Sequence, residues 1–192
     1  LSKFRQFLIK HQASIFFPAL MTVSLGLQSS SVRFLLHNKP KYYVLEWILM
    51  GAHFILYLAL VFTFLSVWQG LLFIVIHQAL TGLYLGSIFA PNHKGMMILD
   101  KDSKMGFLQR QVLTARNIYA GPITDFWYGG LNYQIEHHLF PSMPRNKLKE
   151  TQQIVKAFCQ EHEIPYHETT MVQCFKEILQ YLREIGAPLR RA

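Results

Sequence analysis

The sequence predicts an all-α protein: an integral-membrane helical hairpin followed by a polar helical cap. Three observations predict it. The chain has 192 residues, 51% of them hydrophobic, yet no Lys, Arg, Asp or Glu occurs from Trp47 to His93; a soluble domain rarely leaves so long a stretch uncharged. Within that stretch lie two apolar runs, each of the roughly 20 residues needed to cross about 30 Å of hydrocarbon. Beyond residue 91 the chain turns polar, and its apolar residues recur at helical spacing.

The elements follow in order. Residues 1–12 are polar and basic (Lys3, Arg5, Lys10, His11). Residues 13–36 are apolar but interrupted by Pro18, Gly26 and Ser29-Ser30-Ser31, which predicts a helix lying in the interface; a kinked spanning helix is the alternative. Residues 43–66 and 68–90 are the two spanning helices. The connection around Val67 is so short that they form a tight antiparallel hairpin, with Trp47 and Trp68 as interfacial aromatics. Arg33, Lys39 and Lys41 flank one outer end of the hairpin, and Lys94, Lys101 and Lys104 flank the other. The turn carries no Lys or Arg, so the positive-inside rule places both ends, and everything after residue 91, in the cytosol. The expected domains are 1–42 (interfacial helix and connection), 43–91 (two transmembrane helices) and 92–192 (cytosolic cap).

In the cap, residues 104–118 suit a helix that Gly121-Pro122 breaks. Pro141 and Pro144 stop the segment 125–140. Residues 146–162 are amphipathic, and residues 169–185 carry Met171, Phe175, Ile178, Leu182 and Ile185 at helical spacing. Gly186 and Pro188 are expected to end that last helix. Cys159 and Cys174 form neither a CxxC pair nor a disulfide framework, which suits a reducing compartment. The net charge of +8 comes from scattered basic residues. These read as solvated faces and anionic-lipid contacts, not as a nucleic-acid surface. The chain begins at Leu1 without a signal-peptide pattern, and is expected to be a fragment.

Nine histidines are present. Gln134, His137 and His138 sit at i, i+3 and i+4, one face of a helix. Adjacent histidines diverge by about 100° around a helix axis, so His137 and His138 suit a dinuclear metal site better than a mononuclear one. Imidazole suits iron, zinc and copper; a surface His-His pair is the competing reading. His93, at the end of the second span beside Pro91, is either a further ligand or an interfacial histidine. His77 lies mid-membrane next to Gln78, where it lines a substrate tunnel or bonds to a neighbouring helix; His53 is similar. Metal-bound histidines usually give their other N–H to a carboxylate or carbonyl, which makes Asp125 an outer partner of the site. Glu136 points roughly away from Gln134 on a helix. The Glu-x-x-His pattern of soluble carboxylate-bridged di-iron proteins is absent.

The run from Gly129-Gly130-Leu131-Asn132-Tyr133-Gln134-Ile135-Glu136-His137-His138 to Pro144-Arg145 resembles the third histidine box of membrane fatty-acid desaturases. Gln134 in place of a first His resembles the front-end (delta-5/delta-6) subgroup, as do Gln109-Arg110-Gln111-Val112 and Thr114. Asn92-His93-Lys94-Gly95-Met96 resembles the segment that ends the fourth membrane helix and supplies an extra ligand. The resemblance covers nearly the whole chain. It implies a four-helix membrane stem, of which the hairpin is the third and fourth helices, under a cytosolic cap. It further implies two iron ions with nearly all-histidine ligation. His93, His137, His138 and Gln134 would be this chain's share of the metal ligands, His137 and His138 the catalytic pair, and Asn92 and Asp125 the outer partners. An amide binds iron weakly, so Gln134 is the weakest ligand of the set and has a water-bridged alternative. The family's HxxxH-like and HxxHH-like boxes are absent here, so the chain is expected to carry half of the di-iron site.

The activity implied is introduction of a cis double bond into an acyl chain, carried as acyl-CoA or acyl-lipid, with O2 and two electrons from cytochrome b5 or ferredoxin. The membrane would be a bacterial plasma membrane or the endoplasmic reticulum. The basic face around Lys94, Lys101, Arg110 and Arg145 is expected to hold a phosphate, a headgroup or an acidic donor. A related membrane di-iron hydroxylase and a non-enzymatic protein of the same fold are the competing readings.

Overall fold

The structure is a computed structural model and describes residues 2–100 and 103–191; Leu1 and Lys101 lie outside the described residues. The chain divides into two compact units. One comprises residues 17–86, the other residues 1–16 together with 87–192.

The first unit is built around the hairpin. Helix α2 (Phe16–Leu20) and helix α3 (Val23–His37) precede it. The apolar stretch 13–36 is therefore two short helices, neither as long as the spans. Helices α4 (Tyr43–Phe64) and α5 (Val67–His93) have 22 and 27 residues, about 33 and 40 Å of helix. Both are long and apolar enough to cross a membrane. Their apolar side chains are largely exposed, among them Ile55, Leu56, Phe64, Trp68 and Val75, unlike the core helix of a soluble protein. The turn is closed by Gln69, whose Oε1 accepts from the Ser66 backbone N–H at 3.1 Å and from its hydroxyl at 2.9 Å. Gly70 leaves room for Phe62 and Val61 of α4, while Gly82 and Gly86 let Leu20 and Met21 approach α5. Polar residues in this apolar setting satisfy one another. Gln78 Oε1 accepts from Ser24 Oγ at 2.7 Å and from Gln28 Nε2 at 3.1 Å. His77 Nδ1 meets the Tyr57 hydroxyl at 2.9 Å.

The second unit begins with α1 (Lys3–His11), which lies against the last helix, α10 (Met171–Arg191). Between α5 and α10 come α6 (Phe107–Leu113), strand β1 (Asn117–Ile118), α7 (Pro122–Tyr128) and α8 (Gln134–Leu139). A 3₁₀ turn (Arg145–Lys147), α9 (Leu148–Glu161) and strand β2 (Glu168–Thr169) follow. The core joins Val112 and Ala115 to Ile135, Leu139, Val155 and Cys159.

Two sequence expectations are corrected. The helix expected over 104–118 is confined to Phe107–Leu113. Asn117 and Ile118 instead form a short parallel pair with Glu168 and Thr169, so the fold is not purely helical. The last helix does not stop at Gly186 and Pro188 but continues to Arg191. Gly186 is buried where a side chain would meet the Ile9 carbonyl at 2.8 Å. The glycine therefore serves the close approach of α1 to α10, and this packing outweighs the local stop signal.

Arg116 anchors the end of α5. Its side chain is 1% exposed and pairs with Glu177 of α10 at 2.5 Å; it also donates to the Lys94 carbonyl. Its backbone N–H donates to the Asn92 carbonyl at 3.1 Å. Cys174 donates to the Pro91 carbonyl at 3.3 Å. Burial pushes the Cys174 thiol up to about 11, although the Arg116 charge draws it down.

Candidate metal centre

The histidine helix α8 is entered through a turn that requires glycine. Gly129 and Gly130 have φ of +57° and +90°, and the second is a conformation that side chains with a Cβ adopt at a cost. Asp125 fixes the turn: its Oδ1 accepts from Asn132 Nδ2 at 2.8 Å and from the Tyr133 hydroxyl at 3.1 Å. Burial and the Asp125 bond push the Tyr133 phenol up to about 12. Asp125 was expected beside a metal-bound histidine. Among the described residues its hydrogen bonds run to these two turn residues.

Once α8 forms, Gln134, His137 and His138 share a face, as their spacing predicts. The opposite side is bracketed by groups that carry no sequence signal. Asn117 Oδ1 accepts the Ile135 N–H at 2.9 Å, and its Nδ2 donates to Glu136 Oε2 at 2.7 Å. The Tyr166 hydroxyl donates to Glu136 Oε1 at 2.8 Å. Glu136 points away from the histidine cluster, as expected, into a fully buried site. Burial raises its pKa, and the Asn117 and Tyr166 bonds partly offset this.

On the histidine side, Gln134 Nε2 lies 2.7 Å from His138 Nε2 and 3.3 Å from His93 Nε2. The His93 and His138 ring centroids are 5.0 Å apart, and those of His137 and His138 6.0 Å. His138 Nδ1 meets Gln111 Oε1 at 3.1 Å, and His93 Nδ1 meets the Thr114 carbonyl at 3.4 Å. Asn92, fully buried, donates to Gln134 Oε1 at 2.8 Å and to the Leu131 carbonyl at 3.1 Å. The His138 pKa is lowered, first by burial and then by His93 and His137; this favours the neutral ring that binds metals.

The fold thus gathers His93, Gln134, His137, His138 and Asn92, which the sequence places in two separate segments. Asp125 holds the turn that leads into α8, and His77 belongs to the other structural unit. Gln111 and Thr114 take part in the cluster; both lie in the motif noted in the sequence, which assigns them no role. The Nε2 atoms of His93 and His138 converge on the Gln134 amide nitrogen, and imidazole is a ligand type that suits iron. Among the described residues, no three His, Cys, Asp or Glu side chains come together closely enough to hold a metal ion by themselves.

The fatty acid desaturase family model matches residues 2–170, and the chain belongs to this family. It is similar to the Delta(6)-fatty-acid desaturase fat-3 of Caenorhabditis elegans, 40% identical over 59% of this chain and 26% of that protein. To the acyl-lipid (9-3)-desaturase of Physcomitrium patens it is 32% identical over 62% of this chain and 22% of that protein. To the Delta(5) fatty acid desaturase fat-4 of C. elegans it is 35% identical over 54% of this chain and 24% of that protein. The matched regions thus span about a quarter of the length of these relatives. No solved structure matches the chain.

Proposed function

We propose that this chain is the part of a front-end acyl desaturase that supplies one share of a di-iron site, in a protein that places a cis double bond in an acyl chain. The observation that carries the proposal is the meeting of His93 and His138 nitrogens on Gln134, beside His137, in a chain of the desaturase family. His93, His137 and His138 would hold iron, together with ligands from the rest of the protein. Bound iron with O2 supplies the oxidising power that an unactivated C–H bond demands. The chain's own residues hold the rings. Arg116 and Cys174 fix the end of α5, Asn117 and Tyr166 fix α8, and burial keeps His138 neutral.

The acyl chain, as acyl-CoA or acyl-lipid, would bind among the spanning helices. A cavity of about 370 Å³ there is lined by Leu58 and Ile74 with Tyr57, His77 and Gln78; His77 is the wall residue we assign to it. The lysines flanking α4 and α5 would put both helix ends and the histidines on the cytosolic side. Cytochrome b5 or ferredoxin would deliver the electrons.

The test is expression of the complete protein in a host fed saturated and monounsaturated acyl substrates, with double bonds located by mass spectrometry. New double bonds on the carboxyl side of existing ones are expected, together with loss of bound iron and of product in His137→Ala and His138→Ala. Alcohols as the only products, or an inert protein with no iron, would overturn the reading.

A further inference from the structure

The amide pair Asn92–Gln134 imposes an order on the histidine cluster. The Leu131 carbonyl can only accept, so the Asn92 group 3.1 Å from it is the NH2. That same NH2 lies 2.8 Å from Gln134, which must therefore turn Oε1 toward it. Reversing Asn92 would set oxygen against oxygen at Leu131; reversing Gln134 would set NH2 against NH2. The orientation follows from the chemistry of an unambiguous carbonyl, where a lone amide would leave it open.

With Oε1 committed to Asn92, Gln134 presents its NH2 to His93 Nε2 at 3.3 Å and to His138 Nε2 at 2.7 Å. Both ring nitrogens must then accept, and both protons sit on Nδ1. Each Nδ1–H finds an acceptor: the Thr114 carbonyl for His93 and Gln111 Oε1 for His138. Every link runs donor to acceptor without conflict. Asn92 and Gln134 are buried, so water does not compete for the bond between the two amides; His93 is exposed, and its bond to the Thr114 carbonyl faces solvent.

We propose that Asn92 and Gln134 are positioning residues: Asn92 locks the Gln134 amide so that its NH2 sets His93 and His138 in the Nδ1–H tautomer and holds both Nε2 lone pairs on one point, where an arriving metal displaces the amide NH2. Gln134 is then a hydrogen-bond donor to the ligand rings and not an oxygen ligand of iron. Only the purpose of the arrangement rests on the desaturase reading; the tautomers do not.

The experiment is long-range 1H–15N correlation of the histidine rings in metal-free, 15N-labelled protein in nanodiscs at pH 8, with rings assigned by single substitution. The expected result is Nδ1–H for both His93 and His138. Gln134→Glu, whose carboxylate accepts where the amide donates, should place a proton on Nε2 of both rings. Asn92→Leu should leave mixed tautomers and weaken Co(II) binding about 10–100-fold, the usual scale for loss of an outer partner. Nε2–H rings in the unsubstituted protein, or tautomers that ignore Gln134→Glu, would overturn the proposal. Nδ1–H rings in a protein that makes no double bonds would instead sink the desaturase reading and leave this one standing.

Discussion

Asn117 donates from Nδ2 to Glu136 Oε2 at 2.7 Å, and neither side chain is exposed to solvent. With its Oδ1 on the Ile135 N–H, one amide holds both the backbone and a carboxylate of the helix that carries His137 and His138. A buried carboxyl group is tolerated only while such partners are in place.

Asn117→Ala should therefore cost about 2–3 kcal/mol, because the Ile135 N–H and a buried carboxylate oxygen both lose their partner. Glu136→Gln keeps the shape and should cost less than about 1 kcal/mol, with the Tyr166 hydroxyl turning to accept. Thermal unfolding of the two variants compares them; equal losses would show that the bracket does not hold α8.

Cys174 offers a pH test. Its thiol is raised to about 11, so the folded state favours the neutral form. That contribution is complete below the ordinary thiol value of about 8.5 and is lost as pH rises toward 11. The drop in unfolding temperature between pH 8 and 10.5 should be smaller in Cys174→Ala than in the unsubstituted protein. Alkylating agents at pH 8 should spare both Cys159 and Cys174, which are buried, until the protein is denatured.

The two glycines before α8 should differ. Gly129 has φ +57° and ψ +33°, a left-handed conformation that asparagine adopts readily. Gly130, at φ +90°, also faces the Arg145 side chain, with Cβ to Cβ 3.4 Å. Gly129→Asn should be near neutral in unfolding temperature, whereas Gly130→Ala should lose about 1–2 kcal/mol.

In the hairpin unit, a Cβ at Gly82 would collide with the Met21 backbone carbonyl. Close approach through small residues is how helices pack in lipid. Gly82→Leu should push the α2–α3 region off α5 and break the Ser24–Gln78 bond. The unfolding temperature of Gly82→Leu should fall by several degrees; an unchanged value would contradict this packing.

The hairpin is legible in the sequence because an apolar solvent demands an unbroken run, which composition alone reveals. The shared face of Gln134, His137 and His138 is legible because helical spacing is local. Asn117 and Tyr166 are not legible: single polar residues at long range leave no period to read. The bonds of Asp125 to Asn132 and Tyr133, seven and eight residues on, are not legible either, because the turn that brings them together has no period. Gly186 and Pro188 mislead. They carry a stop signal that is true of an isolated helix, and the packing of α1 on α10 overrides it.

The bracket around Glu136 draws on residues far apart in the chain: Tyr166 lies 30 positions beyond the carboxylate it holds, and 49 beyond Asn117. A ribosome delivers the histidines before it delivers their brace. The cluster must wait, loosely held, until α9 and β2 have followed. Such late closure slows assembly and leaves the nascent chain open to misfolding around α8. A pause or truncation short of Tyr166 would thus loosen α8 while leaving His93, His137 and His138 all present.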